Sequence, residues 1–195
     1  MPVPTEVRTP RLVLRPWRAE DATLLQPILE ANHAHLGPWI PARVSTPVPV
    51  PELAERLAGF GADFAADREW RYGMFTPAGE ILGEAGLYPR TEAARVAYHD
   101  ADRVELGYWL REDMTGRGLV TEAARALLAI ADGLPRVSCV EIRCDARNAR
   151  SAAVPLRLGF VLATTMTEVG VGQAEPAIQL QIWRSKSATR GYDGK

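Results

Sequence analysis

Lysine is almost missing from this chain: of 23 basic residues only two, Lys186 and Lys195, are lysines, and the arginines balance 24 acidic residues to a net charge of -1. Whole-molecule attraction to nucleic acid or to an anionic membrane is therefore not expected. Cysteine is scarce too. Cys139 and Cys144 lie in one predicted strand, where roughly 3.3 Å per residue places them about 16 Å apart and on opposite faces. Neither a disulfide framework nor a four-ligand zinc site follows, and no metal is expected. No apolar run approaches the roughly 20 residues that cross a bilayer, and the opening MPVPTEVRTPRLVLRPW has no signal-peptide core, so the expected location is the cytoplasm.

What is present suits one globular α/β domain over residues 1–184, followed by a polar tail at 185–195 expected to fray: 195 residues, 47% apolar and 24% charged. Leu12 to Arg15 reads as a first strand between prolines, and Ala19 to about Asn32 as a helix in which Pro27 predicts a kink or break. His33 to Pro51, with Gly37 and five prolines, is too rich in breakers for a simple connection and suits a lid. Pro51 then fits the first turn of a helix to about Asp67 with Leu53, Leu57, Phe60 and Phe64 on one stripe. Arg71–Thr76 and Ile81–Tyr88 form a predicted hairpin, with a further strand at Arg103–Leu110. A helix at Thr121–Asp132 and a strand at Ser138–Cys144 then complete a strand, helix, strand unit, which implies parallel neighbours. A short helix at about Ser151–Leu158 and strands near Phe160–Thr167 and Ile178–Arg184 close the domain.

Two segments carry chemistry. In the first, Glu105-Leu-Gly-Tyr-Trp-Leu-Arg111 runs as a strand into Thr115-Gly116-Arg117-Gly118-Leu119-Val120-Thr121, a glycine turn that opens a helix. Backbone N–H groups and the positive helix end converge there, and Gly116 and Gly118 allow an anion to approach the backbone. Alone, such a turn is as often an ordinary tight turn. It is neither a Walker A motif nor a full dinucleotide fingerprint, because the lysine and the remaining glycines are missing. The second segment is Asn148-Ala-Arg-Ser151-Ala-Ala-Val-Pro155-Leu-Arg157-Leu-Gly159-Phe160.

As a pair, these segments resemble the GCN5-related N-acetyltransferases (the GNAT superfamily), in which the first is the acetyl-CoA pyrophosphate loop and the second carries a cofactor-contacting Asn and the closing Leu-Gly-Phe. With Arg11-Leu-Val-Leu-Arg-Pro-Trp17, the Glu20-Asp21 helix start and Leu36-Gly-Pro-Trp-Ile-Pro41, the chain is most similar to the bacterial ribosomal-protein N-terminal acetyltransferase branch, over roughly residues 8 to 184. The resemblance implies a single GNAT domain: a mixed, twisted sheet with helices on both faces, splayed to admit acetyl-CoA. It implies direct transfer of the acetyl group to an amine, foremost a protein or peptide α-amine such as a protein N-terminus, in a ternary complex. Amides of Trp109, Leu110 and Arg111 would pair with the pantetheine and polarise the thioester. Gly116, Arg117, Gly118, Val120 and Thr121 would hold the pyrophosphate, and Asn148 and Ser151 would touch the cofactor. Of the arginines clustered around both segments, Arg111, Arg117, Arg147, Arg150 and Arg157, one or two would meet its terminal phosphate. Two positions depart from the pattern: Thr115 and Val120 stand at the loop's ends, where Val120 is expected to crowd the turn, and Pro155 stands where many members carry a general-acid tyrosine.

The chemistry requires a neutral amine, donors for the carbonyl oxygen as it gains charge, and a proton for the sulfur. An α-amine with a pKa near 8 is about one-tenth neutral at pH 7, whereas a lysine amine near 10.4 is neutral in well under a thousandth of molecules. Glu105, at the head of the strand that the resemblance sets beside the pantetheine, is the leading base, directly or through water. Glu168 is second. Glu105 could equally be an edge carboxylate or a partner of Arg103 or Arg143. Ser151 is the candidate proton donor to the thiolate, or a helix N-cap. His33 and His35 are weaker proton-shuttle candidates, and Trp39, Trp70 and Trp109 either line a substrate slot or pack the core. Acidic Glu112, Asp113, Glu168 and Glu175 could attract a cationic acceptor instead. Acetylation of a small amine such as an antibiotic or polyamine, and an acyl-CoA sensor without turnover, remain the rival readings, and monomer and homodimer are both open.

Overall fold

The structure is a computed structural model that describes residues 3–168 and 177–185, without the side chain of Glu168. The tail beyond Ser185 and Glu175 lie outside the described residues. Eight strands form one sheet in the order β1-β2-β3-β4-β5-β6-β8-β7, where β1 is Val7–Arg8, β2 Val13–Pro16, β3 Trp70–Phe75, β4 Ile81–Arg90, β5 Arg103–Leu110, β6 Cys139–Asp145, β7 Val161–Glu168 and β8 Ile178–Arg184. Every neighbouring pair is antiparallel except β5 and β6. That parallel pair is joined through a helix, α4 (Leu119–Asp132), as a crossover between parallel neighbours requires.

Helices lie on both faces. On one, α1 (Ala22–Leu36), the single turn α2 (Ala42–Ser45) and α3 (Val50–Ala65) close over a core of Trp17, Leu25, Leu29, Leu53, Leu57 and Phe60. Pro51 and Glu52 occupy the first turn of α3, where an absent N–H costs nothing and a negative charge suits the helix end. On the other face α4 packs Ala123, Ala124, Leu127 and Ala131 against Leu87, Leu106 and Val140, with α5 (Ala149–Arg157) beside it. Small alanines let α4 sit close to the sheet.

Two sequence expectations change. Pro27 does not break α1, which continues to Leu36, because the buried stripe Leu25, Leu29, Asn32 and Leu36 extends past it and packing outweighs one lost hydrogen bond. His33 and His35 are therefore helical, and the proline-rich connection is shorter than read. β1 was not anticipated: two residues carry no periodicity, and pairing with β2 defines the strand.

The feature that positions the site is a fork in the sheet. β5 and β6 pair only from Arg103↔Cys139 to Glu105↔Glu141. Beyond that point β5 follows β4 to Leu110, and β6 follows β8 to Asp145. The two arms leave between them a cleft of about 2210 Å³ that runs from the β5–α4 turn to the face carrying Glu105.

Candidate active site

At the β5–α4 turn Gly116 and Gly118 have φ of 76° and 75°, a left-handed conformation that strains any side chain, and Gly118 caps the helix. The amides from Gly116 to Thr121 donate to no acceptor among the described residues. They form a row of N–H groups at the positive end of a 14-residue helix. The N-terminal segment braces this turn: Arg11 donates from Nη1 to the Arg117 carbonyl at 2.9 Å and from Nε to Glu122 at 2.7 Å, and Thr9 Oγ1 donates to Glu122 at 2.6 Å. Burial opposes the charge on Glu122, yet these bonds hold its carboxyl below the usual range. Val120 is half-buried, packs against the α4-side core and also lines the cleft. Arg117 donates back to the Asp113 carbonyl at 3.0 Å.

Along the open edge of β5 the available amides are not all those expected. The Arg111 amide is committed to the Leu82 carbonyl at 2.9 Å, and its guanidinium to Glu80 and Asp113. Strand alternation from that bond turns the Trp109 amide toward β4 as well. The amides of Tyr108 and Leu110 face the gap, where no β6 partner meets them.

On the far side of the gap Asn148 caps α5, its Oδ1 accepting from the Ser151 amide at 3.0 Å. The cap is thus Asn148 and not Ser151, whose hydroxyl lies 3.4 Å from the Tyr108 hydroxyl. Tyr108 donates to the Ser151 carbonyl at 3.1 Å, and burial pushes its ionisation far above the ordinary tyrosine value, so it stays protonated. Cys144 lines the same part of the cleft, and burial pushes its thiol up. Arg125, Arg150 and Arg157 are exposed at the cleft and make no ion pair or hydrogen bond among the described residues.

The face carrying Glu105 is a lattice of arginines and carboxylates. Register sets Arg71 of β3, Glu84, Tyr88 and Arg90 of β4, Glu105 of β5 and Glu141 and Arg143 of β6 on one side of the sheet. Glu105 accepts from Arg90 Nη1 on one oxygen and from Arg95 Nη2, at 2.6 Å, on the other. Its partners are therefore neither Arg103 nor Arg143, which both donate to Glu141. Glu141, without solvent access, also accepts from Arg184 at 2.9 Å. Burial disfavours its charge, but Arg143, Arg184 and Arg103 together hold the carboxyl below the usual range. Glu84 is equally committed, to Trp17 Nε1 at 2.7 Å, Arg71 at 2.9 Å and the Tyr88 hydroxyl at 3.2 Å. Tyr88 lies over Gly86 and Gly107, where a Cβ would strike its ring, with Arg95 stacked 4.1 Å from its centroid.

Of the other sequence candidates, Trp109 and Trp39 line the cleft, whereas Trp70 is fully buried beside Tyr98 in the α4-side core. His35 reaches the cleft wall. Glu168 ends β7, its backbone paired with Ile178. Sequence reading passed over Glu84, Tyr88, Arg90, Arg95 and Tyr108 as site residues. The signal available for β4 was its alternation, since Glu84, Tyr88 and Arg90 interrupt an otherwise apolar strand at a period of two. Among the described residues no group of His, Cys, Asp and Glu could hold a metal, and no helix is long and apolar enough to cross a membrane.

A forked mixed sheet, a glycine turn with unspent amides and an unpaired strand edge define an acyl-CoA-dependent acyltransferase. The family described as the acetyltransferase (GNAT) domain matches residues 11–161, and the chain belongs to it. It is an N-acetyltransferase that uses acetyl-CoA as acyl donor. A curated relative, "Putative ribosomal N-acetyltransferase YdaF" of Bacillus subtilis (strain 168), is 35% identical over 155 residues, covering 77% of this chain and 78% of that protein. Solved structures share the fold: the microcin C7 self-immunity acetyltransferase MccE, in complex with acetyl-CoA and AMP, superposes with a TM-score of 0.80 at 16% identity, over 94% of this chain and 97% of that one. A Salmonella typhimurium acetyltransferase that modifies the N-terminal serine of ribosomal protein L7/L12 gives 0.74 at 18% identity, over 91% and 95%.

Proposed function

We propose that the acceptor is the α-amine of a polypeptide, as in the ribosomal-protein acetyltransferases that the chain resembles, and that the reaction takes place in the cytoplasm. The observation that carries this reading is the state of the carboxylates at the cleft. Glu84, Glu105 and Asp145 already accept from guanidiniums or other donors on both oxygens. A polyamine or aminoglycoside would find no unspent carboxylate among them and would meet arginines instead. The same arginines favour the neutral form of a bound amine, because a nearby positive charge lowers an amine's pKa. An α-amine begins about one-tenth neutral at pH 7, so little further help is needed.

In this reading the amides of Gly116 to Thr121 hold the pyrophosphate, and Arg157 with Arg125 and Arg150 meets the terminal phosphate. The β5 edge at Tyr108 and Leu110 takes the pantetheine as an added strand, and Trp109 and Arg111 support it from the β4 side. Asn148 fixes the start of α5 so that Ser151 faces the sulfur. Glu105, at the apex of the fork, takes the amine's proton directly or through a water. Its oxygens have little capacity to spare, and the α-amine demands little. Glu168 is the alternative acceptor of that proton. Ser151, with Tyr108 behind it, supplies a proton to the departing thiolate in place of the tyrosine that Pro155 replaces.

The test compares initial rates on peptides beginning with Ala, Ser or Asp with rates on spermidine, aminoglycosides and lysine peptides whose N-termini are blocked. The peptides with free α-amines should be fastest. Faster turnover of any of the others by about tenfold would remove the peptide assignment and leave the acetyltransferase intact.

A further inference from the structure

We infer that the polypeptide is acidic beside its reacting amine, with carboxylates at its second and third residues that are read by Arg95, Arg143 and Arg147. The inference rests on the α-amine reading above and sharpens it. Among the described residues ten arginines and four carboxylates line the cleft, in a chain whose net charge is -1. Half of those arginines, Arg8, Arg11, Arg125, Arg150 and Arg157, stand with Glu122 around the β5–α4 turn and α5, where the phosphates of CoA supply opposite charge. The other half, Arg71, Arg90, Arg95, Arg143 and Arg147, stand on the sheet face that carries Glu84, Glu105 and Asp145 or are paired to one of these carboxylates. A second layer behind them, Arg43, Arg103 and Arg184 with Glu69, Glu92, Asp102 and Glu141, offsets part of that excess and leaves the balance positive.

Hydrogen-bond capacity points the same way. The carboxylates on this wall are filled, so what remains unspent is donors. Arg95 directs Nη2 to Glu105 and Nη1 to Glu69 at 3.7 Å, and its side chain is 35% exposed. Arg143 uses Nε and Nη2 on Glu141, and Arg147 uses Nε and Nη2 on Asp145 while remaining 62% exposed. Trp109 lines the cleft with a buried Nε1 that has no partner. A wall of donors without free acceptors suits a ligand rich in carbonyl and carboxylate oxygens.

The spacing also fits. Arg143 stands two residues beyond Glu141 on the same face of β6, about 7 Å further toward the open end of the fork. Successive Cα atoms of an extended acceptor are about 3.8 Å apart, so a carboxylate at its second or third residue reaches that guanidinium while the α-amine lies at the apex. Arg147 continues the line from the end of β6, and Arg95 flanks the apex from the β4 side.

Three peptides of equal length test this, each beginning with a free serine α-amine and bearing Asp-Glu, Asn-Gln or Lys-Lys at positions 2 and 3, with acetyl-CoA and spermidine as comparison. The acidic peptide should exceed the neutral one in kcat/KM by about tenfold and the basic one by more, with the gap narrowing as salt rises from about 50 to 300 mM. Arg147→Gln, at a pair whose guanidinium is 62% exposed, should cut the acidic-to-neutral ratio of kcat/KM severalfold. Equal rates on acidic and neutral peptides, or a basic preference, would overturn the inference and leave the α-amine reading standing. Turnover of spermidine with none of the three peptides would overturn both.

Discussion

On the side of the cleft proposed for the cofactor, six consecutive amides and three exposed arginines have no protein partner among the described residues, and one stretch of chain from Gly116 to Thr121 supplies all six amides. On the side proposed for the acceptor the polar groups come from β3, β4, β5, β6 and the segment at Arg95, and the carboxylates accept from the guanidiniums around them. The difference follows from what each side holds. A pyrophosphate is the same in every turnover, and preformed unspent N–H groups at a helix end are the cheapest way to bind it. An acceptor amine must be held close to neutral and orientated, which a fixed lattice of charge does better than one free carboxylate would. The lattice also fills its own buried valences, so the fold is not left with unpaired charge when no acceptor is bound.

The largest expected effect lies on the cofactor side. Gly118→Glu places a side chain at a φ of 75° and a negative charge at the helix end, and acetyl-CoA affinity measured by calorimetry should fall about a hundredfold or more in a folded variant. Unchanged affinity would show that the phosphates are held elsewhere. On the acceptor side Glu105→Gln should lower kcat about a hundredfold at pH 7 with acetyl-CoA binding nearly unchanged, and higher pH should restore part of the rate by neutralising the amine in solution. A loss under threefold, with the large effect in Glu168→Gln, would transfer the proton to Glu168.

The smallest catalytic effect and a clear stability effect are expected at Glu141, which serves the lattice from behind. Glu141→Gln leaves three guanidiniums short of a charge in a buried site and should cost about 3 kcal/mol, roughly 10 °C in Tm for a chain of this length. The pH dependence has a definite sign. The folded-state pKa of Glu141 lies below its unfolded value near 4.5, so its contribution is complete above that pH and is lost as pH falls through the lower folded value. Thermal melts should show the wild type losing more stability than the Gln variant as the pH is lowered through this window. A gap that stays constant with pH would mean that Glu141 is not the group responsible.

Much of the architecture was legible in the chain because its signals are local. The Arg103–Leu110 strand was read to the residue, and the period change into α4 placed the parallel pair and with it the crossover. The glycine turn was legible for the same reason: glycines two apart at a strand-to-helix junction need no tertiary information. Glu105 was singled out as a candidate, but its environment was not legible, because Arg90 and Arg95 reach it through strand register and a loop that sequence spacing does not encode. Tyr108 stood in plain view inside the motif, yet only the α5 side of the fork gives its hydroxyl a partner. Pro27 misled because a local rule met a packed stripe that overrides it.

The most direct measurement is a grid of initial rates over acetyl-CoA and a serine-initiated peptide that also contains lysine, with the acetylated position located by mass spectrometry. Direct transfer across the fork predicts intersecting double-reciprocal lines, an acetyl group on the α-amine and unmodified lysine. Parallel lines, as from an acetyl group first carried on an enzyme residue such as Cys144 at the cleft, or acetyl found on the lysine side chain, would contradict it.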